Sequence, residues 1–278
     1  MTITTRDQLI DALANNSDRV VIDKASLSNT AAGQLHSLWR ATGTPGQAAI
    51  PAAAALCNSA LLGALGFTNQ TAPATSYLGW AALACSNGAT TLEIHDRLGH
   101  MGGLSGTSTA AQTVNLDVSS AGLNVPAGRL GDSNFSDVQW FAEWYTDTGS
   151  TAVTLTVNVT YGDDTSGNLT GISLAATRRA SFLVPLTGYI PAASSGKKIK
   201  KINTATLSAT TGTAGSWGFT ASRLRSVMPL PVANKSEIFD WSGLGLPEVP
   251  NDACLWMLQL ASTTTTGTVR GGGKIAHG

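Results

Sequence analysis

Hydrophobic and polar residues alternate without interruption from Val153 to Tyr161, with Val153, Leu155, Val157, Val159 and Tyr161 on one side and Thr154, Thr156, Asn158 and Thr160 on the other. A period of two over a β-branched run predicts a strand with one buried face. Val138 to Thr146 reads as its neighbour, with Trp140 and Trp144 on one face and Phe141 and Tyr145 on the other. The link Asp147-Thr148-Gly149-Ser150 is turn chemistry and predicts an antiparallel hairpin between the two. Further strands are predicted over Ile172–Ala176, Ala180–Leu186, Ile199–Ala209, Trp217–Leu224, Cys254–Ala261 and Thr268–Ala276. The links Thr211-Gly212-Thr213 and Thr266-Gly267-Thr268 read as two more Gly-containing hairpin turns.

The first quarter follows a different period. Thr5 and Gln8 fit a capping box ahead of an apolar stripe of Leu9, Ile10 and Leu13, which predicts a helix over Arg6–Ala14. Val20, Val21 and Ile22 form a short extended segment. A second helix is predicted from Ser28 as N-cap to Arg40, carrying Leu35, Leu38 and Trp39. After the breaker Ala41–Ile50, Pro51 opens an Ala-rich helix to Leu65, closed by Gly66 in the left-handed conformation. The pattern therefore divides the chain into a helical N-terminal arm or subdomain, residues 1–76, and an antiparallel β domain, residues 77–278. The fold class is mainly β: a sandwich or jelly-roll-like domain with a helical N-terminal region.

Composition narrows what such a domain can do. Among 278 residues, 17 Lys and Arg balance 17 Asp and Glu, so no net field draws in nucleic acid or an anionic membrane. Charged residues are only 12%, about half the usual share, while Thr, Ser, Gly and Ala hold the mean hydropathy near zero, at +0.08. Sparse, balanced charge does little to oppose self-association, and predicts a surface covered by other chains. Cys57, Cys85 and Cys254 are odd in number and widely spaced, which predicts buried thiols and no disulfide framework. The start carries no apolar signal segment, and Ala48–Leu65 is too interrupted to span a membrane.

Several clusters invite a chemical reading. Glu93-Ile94-His95-Asp96 with His100 gathers an acid and two histidines, but a spacing of five separates the histidines on a helix and on a strand alike. A polar loop tied by Asp96 and Arg97, leading to a flexible Gly102-Gly103, is the plainer expectation. Tyr161 to Asn168 has oxygen donors but lacks the alternating acids and distal Glu of a calcium loop, so it reads as a solvated hairpin tip. Lys197, Lys198, Lys200 and Lys201 form the one concentrated basic run; without interleaved aromatics it reads as charged gatekeepers on a strand, with Arg178-Arg179 as a similar edge. Gly271-Gly272-Gly273-Lys274 lacks the spacing of a phosphate loop. Trp140, Trp144, Trp217 and Trp256 could line a sugar platform or fill a core. No catalytic residue, metal or cofactor is indicated.

Four segments share a texture: Thr4 to Leu13, Leu38-Trp39-Arg40-Ala41-Thr42-Gly43 with Pro45-Gly46-Gln47, His95-Asp96-Arg97-Leu98, and the Gly-rich end. In these the chain resembles a family of structural proteins encoded in tailed-bacteriophage genomes. The resemblance implies a virion component, not an enzyme, made in the bacterial host cytoplasm. Decoration (cement) proteins of phage heads are commonly β-rich oligomers, often trimers, that clamp the major capsid protein and often use a terminal arm. This chain is longer than the smallest of them. The leading expectation is a decoration or minor capsid protein; the alternatives are a tail or fibre protein binding a host glycan, and the major capsid protein itself. Interfaces are expected at Leu9, Ile10 and Leu13, around Trp39 and Arg40 with the loop Thr42–Gln47, and along Lys197–Lys201. Nucleic acid, membrane and small-molecule substrates are not expected partners.

Overall fold

The structure, a computed structural model, describes residues 2–175 and 180–278. It is mainly β, 45% strand against 9% helix. In chain order, α1 (Arg6–Asn15) leads to β1 (Ser17–Lys24), β2 (Leu35–Ser37), β3 (Gly43–Thr44), β4 (Ala55–Leu56), β5 (Ser76–Cys85), β6 (Thr90–Leu104) and β7 (Gln112–Asp117). After the short α2 (Ala127–Leu130) come β8 (Gln139–Thr146), β9 (Val153–Tyr161), β10 (Ser166–Leu174), β11 (Phe182–Pro185), β12 (Ile199–Leu207) and β13 (Ser216–Leu230). The chain ends with β14 (Glu237–Phe239), α3 (Trp241–Leu244), β15 (Glu248–Val249), β16 (Leu255–Leu260) and β17 (Val269–His277). No helix among the described residues is long and apolar enough to cross a membrane.

Contacts divide the chain into two compact units: residues 1–49, 58–96 and 224–278, and residues 50–57 with 97–223. Segments 1–76 and 77–278, the division expected from sequence, each contribute to both. In the first unit a sheet runs β14-β5-β17-β1-β3, with β15 also paired to β5. Val20, Ile22, Leu78, Leu83, Val269 and Ile275 of this sheet share a core with Leu92, Ile94, Leu255 and Met257, which come from β6 and β16, themselves antiparallel neighbours. In the second unit a sheet runs β10-β9-β12-β7. Its apolar face, including Val153, Leu155, Val157, Val159, Ile202 and Leu207, packs with Trp140, Trp144, Trp217 and Phe219 of β8 and β13. Trp144 and Trp217 stack at 5.5 Å between ring centroids, a contact that adds to their burial.

β9 occupies Val153–Tyr161 as its alternation predicts, yet it does not pair with β8. Its neighbours are β10 and β12, while those of β8 are β11 and β13. The two other Gly-centred links behave alike: β12 and β13 lie in different sheets, and so do β16 and β17. The turn residues bind across the fold instead of closing a hairpin. Thr151 N–H donates to Thr211 O at 3.2 Å, and Thr211 Oγ1 donates to Gly106 O at 2.9 Å. Only the tip at residues 162–165 makes its expected hairpin, joining β9 to β10.

In the N-terminal quarter α1 forms with its capping box closed in both directions: Gln8 N–H donates to Thr5 Oγ1 and Thr5 N–H to Gln8 Oε1. Leu9 and Ala12 pack on Ala276. The helices expected over 28–40 and 51–65 are absent. Asn29 and Gly33 take positive φ, and Leu35–Ser37 pairs with β16 as β2. The Ala-rich segment forms the short strand β4 and then turns at residues 58–64, tied down by long-range bonds such as Cys57 N–H to Leu98 O at 3.2 Å and Leu65 N–H to Leu255 O at 2.8 Å. Tertiary pairing here overrides a favourable helix propensity. β1 lies inside its sheet, paired over its whole length to β17, so residues 17–24 are not a detachable arm.

Gly271 explains part of the Gly-rich end. Its φ of 145° falls where side chains are strained, and a Cβ there would lie 1.9 Å from Ala82 O on β5. Gly66 has a negative φ and open space around it, so it does not close a helix in the left-handed conformation. Gly271→Ala is expected to lower the urea-unfolding free energy by about 3 kcal/mol, whereas Gly66→Ala leaves the midpoint unchanged; equal midpoints for the two variants contradict this packing.

Candidate functional site

His95, Asp96 and Arg97 lie in the interior of β6 and are fully buried. The polar loop expected around them is therefore a strand, and Gly102-Gly103 continues it. In the first unit, His95 Nε2 is 2.8 Å from Glu93 Oε2, and Asp96 accepts from Arg225 Nη2 at 3.2 Å and from Cys254 N–H at 2.9 Å. Burial pushes the His95 imidazole towards its neutral form, against the pull of Glu93. Imidazole and carboxylate engage one another, leaving a satisfied strand interior.

In the second unit Arg97 is held in a buried ion pair. Its Nη2 meets Glu143 Oε2 at 2.6 Å and donates to Tyr145 Oη at 2.9 Å, and its Nε donates to His100 Nδ1 at 3.2 Å. Thr220 Oγ1 donates to the same carboxylate. Arg129 reaches the carbonyls of Cys57 and Arg97 at 2.6 and 2.9 Å. Burial opposes the charge on Arg97, but the Glu143 carboxylate outweighs it and holds the guanidinium above its ordinary pKa. Burial, with Glu143 beside it, raises the Tyr145 phenol. The pair ties β6 to β8 and, through Thr220, to β13. Its members have no solvent approach, so the arrangement positions strands. Sequence reading missed Glu143 and Arg129 because each sits in a window dominated by aromatic or small residues.

The expected interface residues are scattered. Leu9 is buried, Leu13 is half-buried against Gly79, and Ile10 stands 54% exposed. Ile10, Leu13, Trp80 and Lys274 line a small apolar groove. Trp39 is buried against Trp256 and Gly63, and Arg40 is turned onto Ala48 O. Two lysines of the basic run are paired locally: Lys197 meets Asp163 at 2.9 Å and lies 5.6 Å from the Tyr161 ring centre, and Lys200 pairs with Asp164. Lys201 lies opposite Asp117 in the sheet register, and Lys198 is exposed. Arg178-Arg179 lies outside the described residues. Trp140, Trp144, Trp217 and Trp256 are all core side chains, which leaves a sugar platform without the tryptophans proposed for it. All three cysteines are buried and none is in a disulfide, and among the described residues no group of three or more His, Cys, Asp or Glu is placed to hold a metal ion.

The loop at residues 42–47 has a clamp that its sequence did not suggest. Lys24, 1% exposed, donates from Nζ to Ala41 O at 2.8 Å and Pro45 O at 2.7 Å, leaving Thr42, Gly43 and Thr44 exposed at the tip. Burial lowers its pKa to about 8.

No protein-family model matches the chain, and no curated protein matches it. Among solved structures, the infectious bursal disease virus VP2 subviral particle aligns at 11% identity over 94% of this chain and 79% of that one, with a TM-score of 0.18. The T=1 particles derived from the same virus align at 10% identity over 97% and 83%, with a TM-score of 0.19. TM-scores of this size do not establish a shared fold.

Two outcomes test the buried charges. Glu143→Gln leaves Arg97 buried without its carboxylate and is expected to cost about 3–5 kcal/mol in chemical denaturation, while Lys197→Ala, at an exposed pair, leaves the midpoint in place. Lys24 titrates near 8 when folded and near 10.5 when unfolded, so between those values the unfolded chain binds more protons and stability rises with pH. Relative to Lys24→Met, the wild type is expected to gain about 3 kcal/mol from pH 8 to 10.5; a flat difference across that window removes the clamp's charge from the account.

Proposed function

We propose that this chain is a non-enzymatic structural protein of a tailed-bacteriophage virion, most specifically a decoration or minor capsid protein that stabilises the head through contacts among its own copies and with the major capsid protein. A trimer is the favoured assembly, and the virion its location. The carrying observation is the scarcity of free charge. Only 12% of residues are charged; Arg97–Glu143 and Arg225–Asp96 are paired in the interior, and Lys197–Asp163, Lys200–Asp164 and Arg270–Asp23 are paired within the chain at its surface. Lys24 is enclosed by carbonyls.

One broad face is hydroxyl and amide. The outer side of β9, β10 and β12 presents Thr154, Thr156, Asn158, Thr160, Asn168 and Asn203, with Asn203 donating to Asn158 and Asn158 to Asn168 at 2.9 and 2.7 Å. Such a surface repels neither its own copies nor a neutral neighbour, which suits a lattice where many modest contacts act together. The resemblance of segments 4–13 and 38–47 to tailed-phage virion proteins supports the same reading.

Quantitative mass spectrometry on purified virions, with heads separated from tails, tests it. A ratio near one to the major capsid protein in heads fits a cement protein; a few copies in tails refers the chain to tail function, and absence from virions removes the proposal. In sedimentation, Ile10→Glu, placed at the exposed lip of the α1 groove, is expected to weaken self-association without changing the melting temperature.

A further inference from the structure

Within the first unit, a polar cavity of about 530 Å³ lies between the end of α1, the start of β1 and the loop 68–74, with His277 of β17 in its wall. A second, of about 350 Å³, adjoins it beneath residues 2–12, and Asn16, Gln70, Ala74 and His277 line both. No part of the interface reading uses this place.

The imidazole is held from two sides. His277 is 4% exposed; its Nε2 lies 3.1 Å from Asp18 Oδ2 and its Nδ1 lies 2.9 Å from Ser76 Oγ. Nδ1 and the Ser76 hydroxyl share a hydrogen bond, and Nε2 faces the Asp18 carboxylate without a well-aligned bond to it. Asp18 accepts from Thr68 N–H, and this bond, with the imidazole beside it, outweighs its partial burial to hold its carboxyl below the usual range. Asp18 is thus an ionised, oriented acceptor on the cavity wall.

The surrounding amides add both donors and acceptors to the lining. Asn15 Nδ2 donates to Asp11 at 2.7 Å, Asn16 Nδ2 to His277 O at 2.8 Å and Gln70 Nε2 to Thr68 O at 2.9 Å. Their amide oxygens and remaining N–H groups, with the Asp18 carboxylate, are what these side chains offer a ligand. An anion is disfavoured, because the lining includes Asp18 and no Lys or Arg. An apolar ligand would leave these acceptors unpaired. A metal ion would lack a set of three His, Cys, Asp or Glu ligands among the described residues. What fits is an uncharged molecule rich in hydroxyl donors, and the volume suits one or two sugar rings.

We propose that this cleft binds a neutral polyol, a sugar residue of a glycan, with Asp18 accepting from ligand hydroxyls and Ser76 fixing His277 as the residue that positions Asp18. The proposal is independent of where the protein resides in a virion and does not use the buried tryptophans.

The test follows the His277 ring signals by NMR in the full-length protein, titrated separately with glucose, galactose, mannose, rhamnose and N-acetylglucosamine to about 50 mM, a range suited to millimolar affinity. A saturable shift with at least one sugar is expected, about tenfold weaker in Asp18→Asn, which keeps the shape and loses the charge. Thr71→Trp, on the exposed rim, is expected to abolish it and keeps the test open if Asp18→Asn fails to fold. No saturable shift with any of the five sugars overturns the proposal. So does a shift that both variants leave unchanged, or a response to choline and to none of the sugars, which assigns the cleft to a cation.

Discussion

Every buried backbone N–H and C=O needs a partner, and in this chain few of those partners are close in sequence. β1 finds its partner in β17, at the far end of the chain, and β2 in β16; the sheet of the second unit sets β12 between β9 and β7. Short loops connect strands that belong to different sheets, so three of the four links that look like hairpins instead carry the chain from one sheet to another, the tip between β9 and β10 being the exception. Loop-closure entropy for such non-local pairs must be met before their contacts form. The buried ion pairs belong to the same pattern, since Arg97 with Glu143 and Asp96 with Arg225 join strands remote in sequence.

This separates what the sequence could show from what it could not. Strand existence was legible where side-chain alternation gave a local signal: β9 falls on Val153–Tyr161, and β8, β12, β16 and β17 fall within a few residues of their expected places, whereas β5, β6 and β7 were not read as strands. Strand partners were not legible, because turn chemistry at Thr211-Gly212-Thr213 serves a crossing as well as a hairpin. The same limit explains the two absent helices. Alanine has high helix propensity, but the segment 51–65 contributes carbonyls and amides to neighbours such as Arg129 and Leu255, and a propensity of tenths of a kcal/mol per residue yields to that pairing. The helix that did form, α1, is the one whose capping bonds are all local.

The candidate residues divide in a similar way. Lys197 to Lys201 looked like an exposed basic edge because the sequence shows the lysines together and does not show Asp163 and Asp164 folding back on them across the hairpin tip. His95, Asp96 and Arg97 looked like a loop because three ionisable residues in a row rarely occupy a core strand. They do so here because each has a partner, drawn from β6 itself, from β13 and from β8.

Charge that is sparse and balanced, 17 basic against 17 acidic residues, has a consequence for recognition. A surface without strong charge gains little from electrostatic steering or from a salt-sensitive field. Its specificity must come from the matching of hydrogen bonds at short range, summed over many copies or concentrated in a cleft. Flat faces such as the outer side of β9 and β10 can do only the first. Around His277 the second becomes possible, because one ionised carboxylate, oriented by an imidazole that Ser76 holds in place, stands among neutral amides that would otherwise give a ligand no preferred orientation.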